Sequence, residues 1–233
     1  MLYKIQALKN GQCGVRRYIT FGDEWDETPH TYFLYIWLVT GGEKPILVDT
    51  GPKDVEGFNK ATEEYIPIGV TQSANETTVG ALVKAGIDPA DVGWVFITHM
   101  HGDHYSNHDL FPNATVVVSE KGFPNGPESA PADVRNRLML VGDEEVLPGI
   151  RTFHLGCHSE DSQGIAIDTA KGRVVLSGDV AYMFENIECD RPIRAQDIDA
   201  CREALRKLRS QGDIILPGHD PLILERYPGG IIA

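Results

Sequence analysis

The 233-residue chain is poor in cysteine and short of positive charge. Its four cysteines, Cys13, Cys157, Cys189 and Cys201, include no Cys-x-x-Cys pair, which removes the usual signature of a structural zinc module or a dithiol redox motif. A chain of this size buries a core without disulfide staples, so the four are expected to be reduced thiols, mostly buried. Lys and Arg number 21 against 34 Asp and Glu, a formal net charge of −13. Such a surface is not built to neutralise phosphates, which argues against nucleic acid as a partner and for a small or neutral substrate. Long apolar runs are also missing. The longest, 32–39, falls far short of the roughly 20 residues a helix needs to cross a bilayer, and no basic N-terminal segment precedes an apolar stretch. No membrane association and a cytoplasmic location are therefore expected. With no short repeat, no low-complexity tail and 42% hydrophobic residues, 1–233 reads as one large domain.

What the chain does have is concentrated at 98–104, Thr-His-Met-His-Gly-Asp-His, immediately after the apolar run 94–97. In an extended segment side chains alternate faces, so His99 and His101 point the same way, while Gly102 lets the backbone turn and bring Asp103 and His104 to the same place. Four donors converge from one short loop, and a solvated polar loop would need a separate reason for each. A metal site is the economical reading.

Before this motif, the apolar runs 3–8, 15–21 and 32–39, broken by Asn10-Gly11, Gly22-Asp23 and Gly41-Gly42, predict an antiparallel meander. The run 45–48 predicts a strand ending at Asp49, Thr50 and Gly51. Asp49 is open between a role at a cleft and a simple turn former. Segments 53–65 and 75–85 read as surface helices, the second capped by Asn75. Thr115 to Val118 makes another buried strand. Residues 123–133, rich in Pro, Gly and Ser, read as a loop of the kind that often faces substrate as a lid, ahead of a stretch of undecided type at 134–141.

Downstream, one arrangement recurs: an apolar strand that ends in a ligand-type residue. The strand 150–155 leads to His158, 173–177 to Asp179, and 213–216 to His219. Residues 165–168 and 174–176 predict a hairpin around Thr169 to Gly172, and 195–209 predicts a helix with Ile198, Cys201, Leu205 and Leu208 on one stripe. His99, His101 and His158 would make one metal position. Asp103, His104 and His219 would make a second, with Asp179 sharing its two oxygens between them. Two cations roughly 3.5 to 4 Å apart activate water at neutral pH and polarise a substrate oxygen at once.

The signature His99-Met100-His101-Gly102-Asp103-His104, followed in order by His158, Asp179 and His219, resembles the metallo-β-lactamase superfamily. The likeness extends from Pro45–Gly51 to Leu216–Asp220. It implies an α/β fold of the four-layer αββα sandwich type, two divalent metal ions, usually Zn2+, and a bridging hydroxide that attacks a carbonyl. Within the superfamily the chain is most similar to the N-acyl homoserine lactonases. Tyr182, three residues after Asp179, stands where those enzymes carry a tyrosine that hydrogen-bonds the substrate carbonyl. Asp103 is then also the group that returns a proton to the leaving alkoxide. The chain departs from the pattern in two places: Ser159 to Gln163 contain no second histidine after His158, and Tyr105, Ser106 and Asn107 replace the glycines that usually follow the motif.

The expectation is a lactonase-like hydrolase opening a lactone or a similar small cyclic or ester carbonyl. A thioester hydrolase of the glyoxalase II kind is the alternative, although such enzymes bind a glutathione adduct through a basic C-terminal region and only Arg226 follows His219 here. A metal-binding protein without turnover is a further one. Of the other histidines, His30 reads as a surface residue, His108 as an exposed or supporting residue, and His154 as structural. Cys157, where the family has glycine, reads as lining.

Overall fold

The computed structural model describes residues 2–130 and 132–233. Its first element is a long hairpin. β1 (Lys4–Arg16) pairs antiparallel with β2 (Pro29–Thr40), from Lys4 opposite Thr40 to Arg16 opposite Pro29. Asn10-Gly11, which the sequence marks as a turn, lies inside β1. A register shift between Lys9 and Gly11 absorbs it as a bulge, and glycine fits the positive φ of 132° there. The apolar run 15–21 is likewise not one strand but the end of β1 plus one helical turn, α1 (Arg17–Thr20).

β3 (Ile46–Val48) joins β2 antiparallel, and β5 (Trp94–Phe96), β6 (Thr115–Ser119) and β7 (Leu138–Val141) then add in parallel. With β4 (Ile68–Thr71) on the far edge, the order is β4-β1-β2-β3-β5-β6-β7. The second sheet runs β12-β11-β10-β9-β8, from β8 (Glu144–Leu147), β9 (Ile150–His154), β10 (Gln163–Thr169), β11 (Gly172–Leu176) and β12 (Ile214–Leu216). The predicted hairpin is the β10/β11 pair, Ile165 opposite Leu176 through Thr169 opposite Gly172.

Alternation along the strands fills two kinds of core. Inward residues of both sheets, among them Trp37, Val48, Phe96, Ile165, Val174 and Leu176, form the core between the sheets. Outward residues of the first sheet, Leu47, Val95 and Val116, pack with Leu82 of α3 (Thr78–Lys84). Phe153, Ala166 and Val175 on the other outer face receive Ala204, Leu205 and Leu208 of α7 (Ile198–Ser210), with Ile187 of the short α6 (Phe184–Glu188) beside them. Helix, sheet, sheet, helix is the αββα sandwich. Between these, α2 (Val55–Thr62) is capped by Asp54, α3 by Thr77 rather than Asn75, and α7 by Asp197, each side chain accepting a backbone N–H of the first turn.

The undecided stretch 134–141 is the end of a single turn, α5 (Ala132–Arg135), followed by β7. In the loop before it, Phe123 and Ala130 are buried in the outer core with Val116 and Val118. Pro131 of that loop lies outside the described residues. Among the described residues, no helix is long and apolar enough to cross a membrane.

Candidate metal centre

Asp49 and each candidate metal ligand follow the C-terminal end of a strand, on one rim of the sandwich. β3 delivers Asp49, and β5 delivers His99 and His101. The one-turn helix α4 (Gly102–Tyr105) turns Asp103 and His104 inward, while β9, β11 and β12 are followed by His158, Asp179 and His219. Gly178, at φ 52°, permits the last approach: a β-carbon there would meet Thr98 Cβ at 2.8 Å.

Candidate ligand atoms gather in three overlapping groups, His99/His101/His158, His99/His104/Asp179 and Asp103/His104/His219, each within 4.8 Å. Asp179 joins them. Its Oδ2 lies 3.7 Å from His99 Nε2 and 3.5 Å from His158 Nε2, and its Oδ1 lies 3.2 Å from His104 Nε2 and 2.9 Å from His219 Nε2. His158 Nε2 and His101 Nδ1 converge to 2.8 Å. His99 Nε2 and His104 Nε2 are buried and make no well-directed hydrogen bond. A buried, neutral imidazole nitrogen such as His99 Nε2, 3.7 Å from Asp179 Oδ2, is costly to leave without a hydrogen bond unless a cation takes its lone pair. Nitrogen and carboxylate donors in this number suit divalent cations.

The outward ring atoms are held. His104 Nδ1 donates to Asp49 Oδ2 at 2.8 Å, His219 Nδ1 to the Phe33 carbonyl at 3.0 Å, and His158 Nδ1 lies 3.1 Å from the Tyr182 hydroxyl. A proton fixed on Nδ1 leaves Nε2 free to bind. Asp49 therefore is not a turn former. Its Oδ1 accepts Thr98 N–H at 2.8 Å and its Oδ2 the Thr98 hydroxyl at 2.8 Å, and it holds a φ of 60° that non-glycine residues seldom adopt.

Burial and charge oppose each other here. Burial disfavours the Asp179 carboxylate, yet His104, His219 and His99 hold it well below the usual range. Burial also works against protonating His104, but Asp179, Asp103 and Asp49 outweigh it, and His104 rises well above an ordinary histidine. His219 rises for the same reason, through Asp179. In His99 and His158 burial wins, and His158 falls to about 4. Burial, then Asp179 and Asp103, raises the Tyr182 hydroxyl, which stays protonated at neutral pH.

The bystander histidines divide. His154, half-buried at the end of β9, joins none of the three groups. His108 is buried at the start of a 3-10 turn, its ring stacked on Tyr105. His30 is not a free surface residue: it is partly buried and hydrogen-bonds the Thr20 hydroxyl, which also meets Tyr32. Sequence reasoning missed Tyr32, whose ring stacks on His219 at 5.2 Å, because it lies inside an ordinary apolar run. It also missed Asp161, which accepts Met100 N–H at 2.7 Å, and Asn107, whose amide reaches the Thr50, Gly51 and Pro52 carbonyls.

The cysteine expectation is corrected. Cys157 and Cys201, 44 positions apart, form a disulfide, because α7 packs beneath the loop that follows β9 and brings the two Cα atoms to 5.0 Å. Cys13 is a buried free thiol, raised by burial and by Asp103 and Asp179, and Cys189 is free and exposed.

The model of the metallo-beta-lactamase superfamily matches residues 32–219. An N-acyl homoserine lactonase of Bacillus sp is 27% identical over 202 residues, covering 80% of this chain and 81% of its own. The human metallo-beta-lactamase domain-containing protein 1 is 30% identical over 178 residues, covering 73% of this chain and 65% of its own. A mutant of B. thuringiensis AiiA, with N-decanoyl-L-homoserine bound at its active site, superimposes with a TM-score of 0.83 at 22% identity over all of both chains. AidC, a dizinc quorum-quenching lactonase, superimposes at 0.70 with 16% identity, covering 98% of this chain and 89% of its own. The chain belongs to the metallo-beta-lactamase superfamily, as a metal-dependent hydrolase that resembles the N-acyl homoserine lactonases.

Proposed function

We propose that the protein opens a lactone, or a similar small cyclic or ester carbonyl, using two zinc ions. His99, His101 and His158 would hold one, Asp103, His104 and His219 would hold the other, and Asp179 would serve both. The observation that carries this reading is the split of Asp179, with Oδ2 toward His99 and His158 and Oδ1 toward His104 and His219. One carboxylate placed this way suits two cations better than one. When bound, the pair supplies Lewis-acid polarisation of the carbonyl and a water acidic enough to attack it at neutral pH.

The chain's own residues supply the rest. Asp49, the Phe33 carbonyl and the Tyr182 oxygen fix the imidazole rings of His104, His219 and His158. If His158 Nδ1–H donates to the Tyr182 oxygen, the phenol proton remains available, and Tyr182 donates it to the substrate oxygen as negative charge develops there. Asp103, whose side chain is 15% exposed at the cleft edge, is placed to take the proton that the attacking water gives up and to return it to the leaving alkoxide. A glutathione thioester fits less well. Arg226, the one basic residue after His219, is already engaged with Glu188 at 2.5 Å. The test is metal-free protein reconstituted with zinc and assayed on lactones, thioesters, phosphodiesters and β-lactams. Lactone opening should dominate, and a larger kcat/KM on thioesters would reassign the substrate class.

A further inference from the structure

His158 is delivered by a loop whose backbone is forced. Gly156 and Cys157 both lie in the left-handed region, at φ 62° and 72°. Glycine adopts that conformation freely, whereas a residue with a β-carbon resists it. At Cys157 the resistance is met by a covalent bond to Cys201 of α7. The helix is a firm anchor: Asp197 caps it, Cys201 is buried, and Lys207 donates to the His154 carbonyl at 2.8 Å. Downstream of His158 the loop is held differently, by Asp161 on Met100 N–H and by Gln163 N–H on the Thr98 carbonyl at 2.9 Å.

We infer that the Cys157–Cys201 disulfide is a positioning device for His158, locking the left-handed turn that keeps its Nε2 beside His101 and Asp179. The inference rests on the two-cation reading above. Opening the bond places two electrons in it and a proton on each sulfur. A phosphine reductant supplies the electrons and becomes the phosphine oxide, with oxygen taken from water. The turn at Cys157 then relaxes, and the three-histidine position loses one of its nitrogens. The position formed by Asp103, His104 and His219 is untouched, so one ion weakens and the other does not.

The experiment uses the full zinc-loaded chain, oxidised or phosphine-reduced, titrated with a chromophoric chelator. It is repeated on Cys201→Ser and on the double variant Cys157→Gly with Cys201→Ser. In the reduced protein and in Cys201→Ser, one zinc ion should weaken about tenfold or more relative to the oxidised protein, as when a group orienting a ligand is lost, with the second unchanged. The double variant should recover the tight value, because glycine holds the turn without a staple. Equal retention of both ions in every form overturns the inference. So does a double variant no tighter than Cys201→Ser, or a non-reduced, denatured protein with all four thiols free. Oxidised protein that binds fewer than two zinc ions overturns the two-cation reading and this inference together.

Discussion

Asp49→Asn isolates the orientation of one imidazole. Asparagine tolerates the φ of 60° at this position, so the backbone is undisturbed. One amide oxygen still accepts Thr98 N–H. The amide nitrogen then faces His104 Nδ1, where the carboxylate accepted a proton at 2.8 Å. Two donors meet, and His104 must either move or shift its proton to Nε2, the atom turned toward Asp179. A hydrogen bond to a charged group contributes about 1.5 to 3 kcal/mol, and loss of a partner that orients a metal-binding histidine costs roughly 10- to 100-fold in affinity. The two estimates agree, since tenfold corresponds to about 1.4 kcal/mol. Chelator competition on the zinc-loaded variant should therefore show one ion weakened within that range, with an unchanged circular dichroism spectrum. Wild-type affinity for both ions would refute the reasoning and return Asp49 to the status of a turn residue. Alanine is the poorer probe, because it also strands the buried Thr98 N–H.

His101→Ala or His158→Ala should abolish hydrolysis, while His30→Ala, whose ring meets Thr20, Phe21 and Tyr32 and is not among the candidate ligands, should retain it; steady-state kinetics on folded variants decides. Tyr182→Phe deletes one hydroxyl and keeps the ring. With a metal sharing the stabilisation it should lower kcat/KM on the best lactone by about 1 to 3 kcal/mol, and an unchanged value would reduce Tyr182 to packing. In the metal-free protein His104 and His219 carry raised values, so their protons stabilise the fold at acid pH, and that contribution fades as pH rises through the raised values. Zinc must displace those protons. Calorimetry in buffers of different ionisation enthalpy should show proton release on loading, with affinity falling as pH falls; loading without release contradicts the assignment.

The gathering of the candidate ligands was legible in the sequence because they are dense at 99–104 and because His158, Asp179 and His219 each follow an apolar strand. Strand ends on one rim of a sandwich bring such residues together even when they are far apart in the chain. The layer order came with the family resemblance, not from periodicity, since short apolar runs do not say which sheet they join. Asp49 stayed undecided because its role depends on His104, which only folding brings to it. The Cys157–Cys201 pair has no spacing signature, and only the packing of α7 under the β9 loop reveals it. Asn10-Gly11 reads as a turn locally, but the pairing of β1 with β2 on both sides of it outweighs that preference. Asn75 and Thr77 are both competent caps, and the path of the chain selected the second.

Stepwise zinc loading of metal-free protein, with lactone hydrolysis followed at each step, tests directly whether Asp179 serves two cations in one hydrolytic site. Zinc binding should saturate at two ions per chain, and full activity should require both. Saturation at one ion per chain with full activity would contradict this.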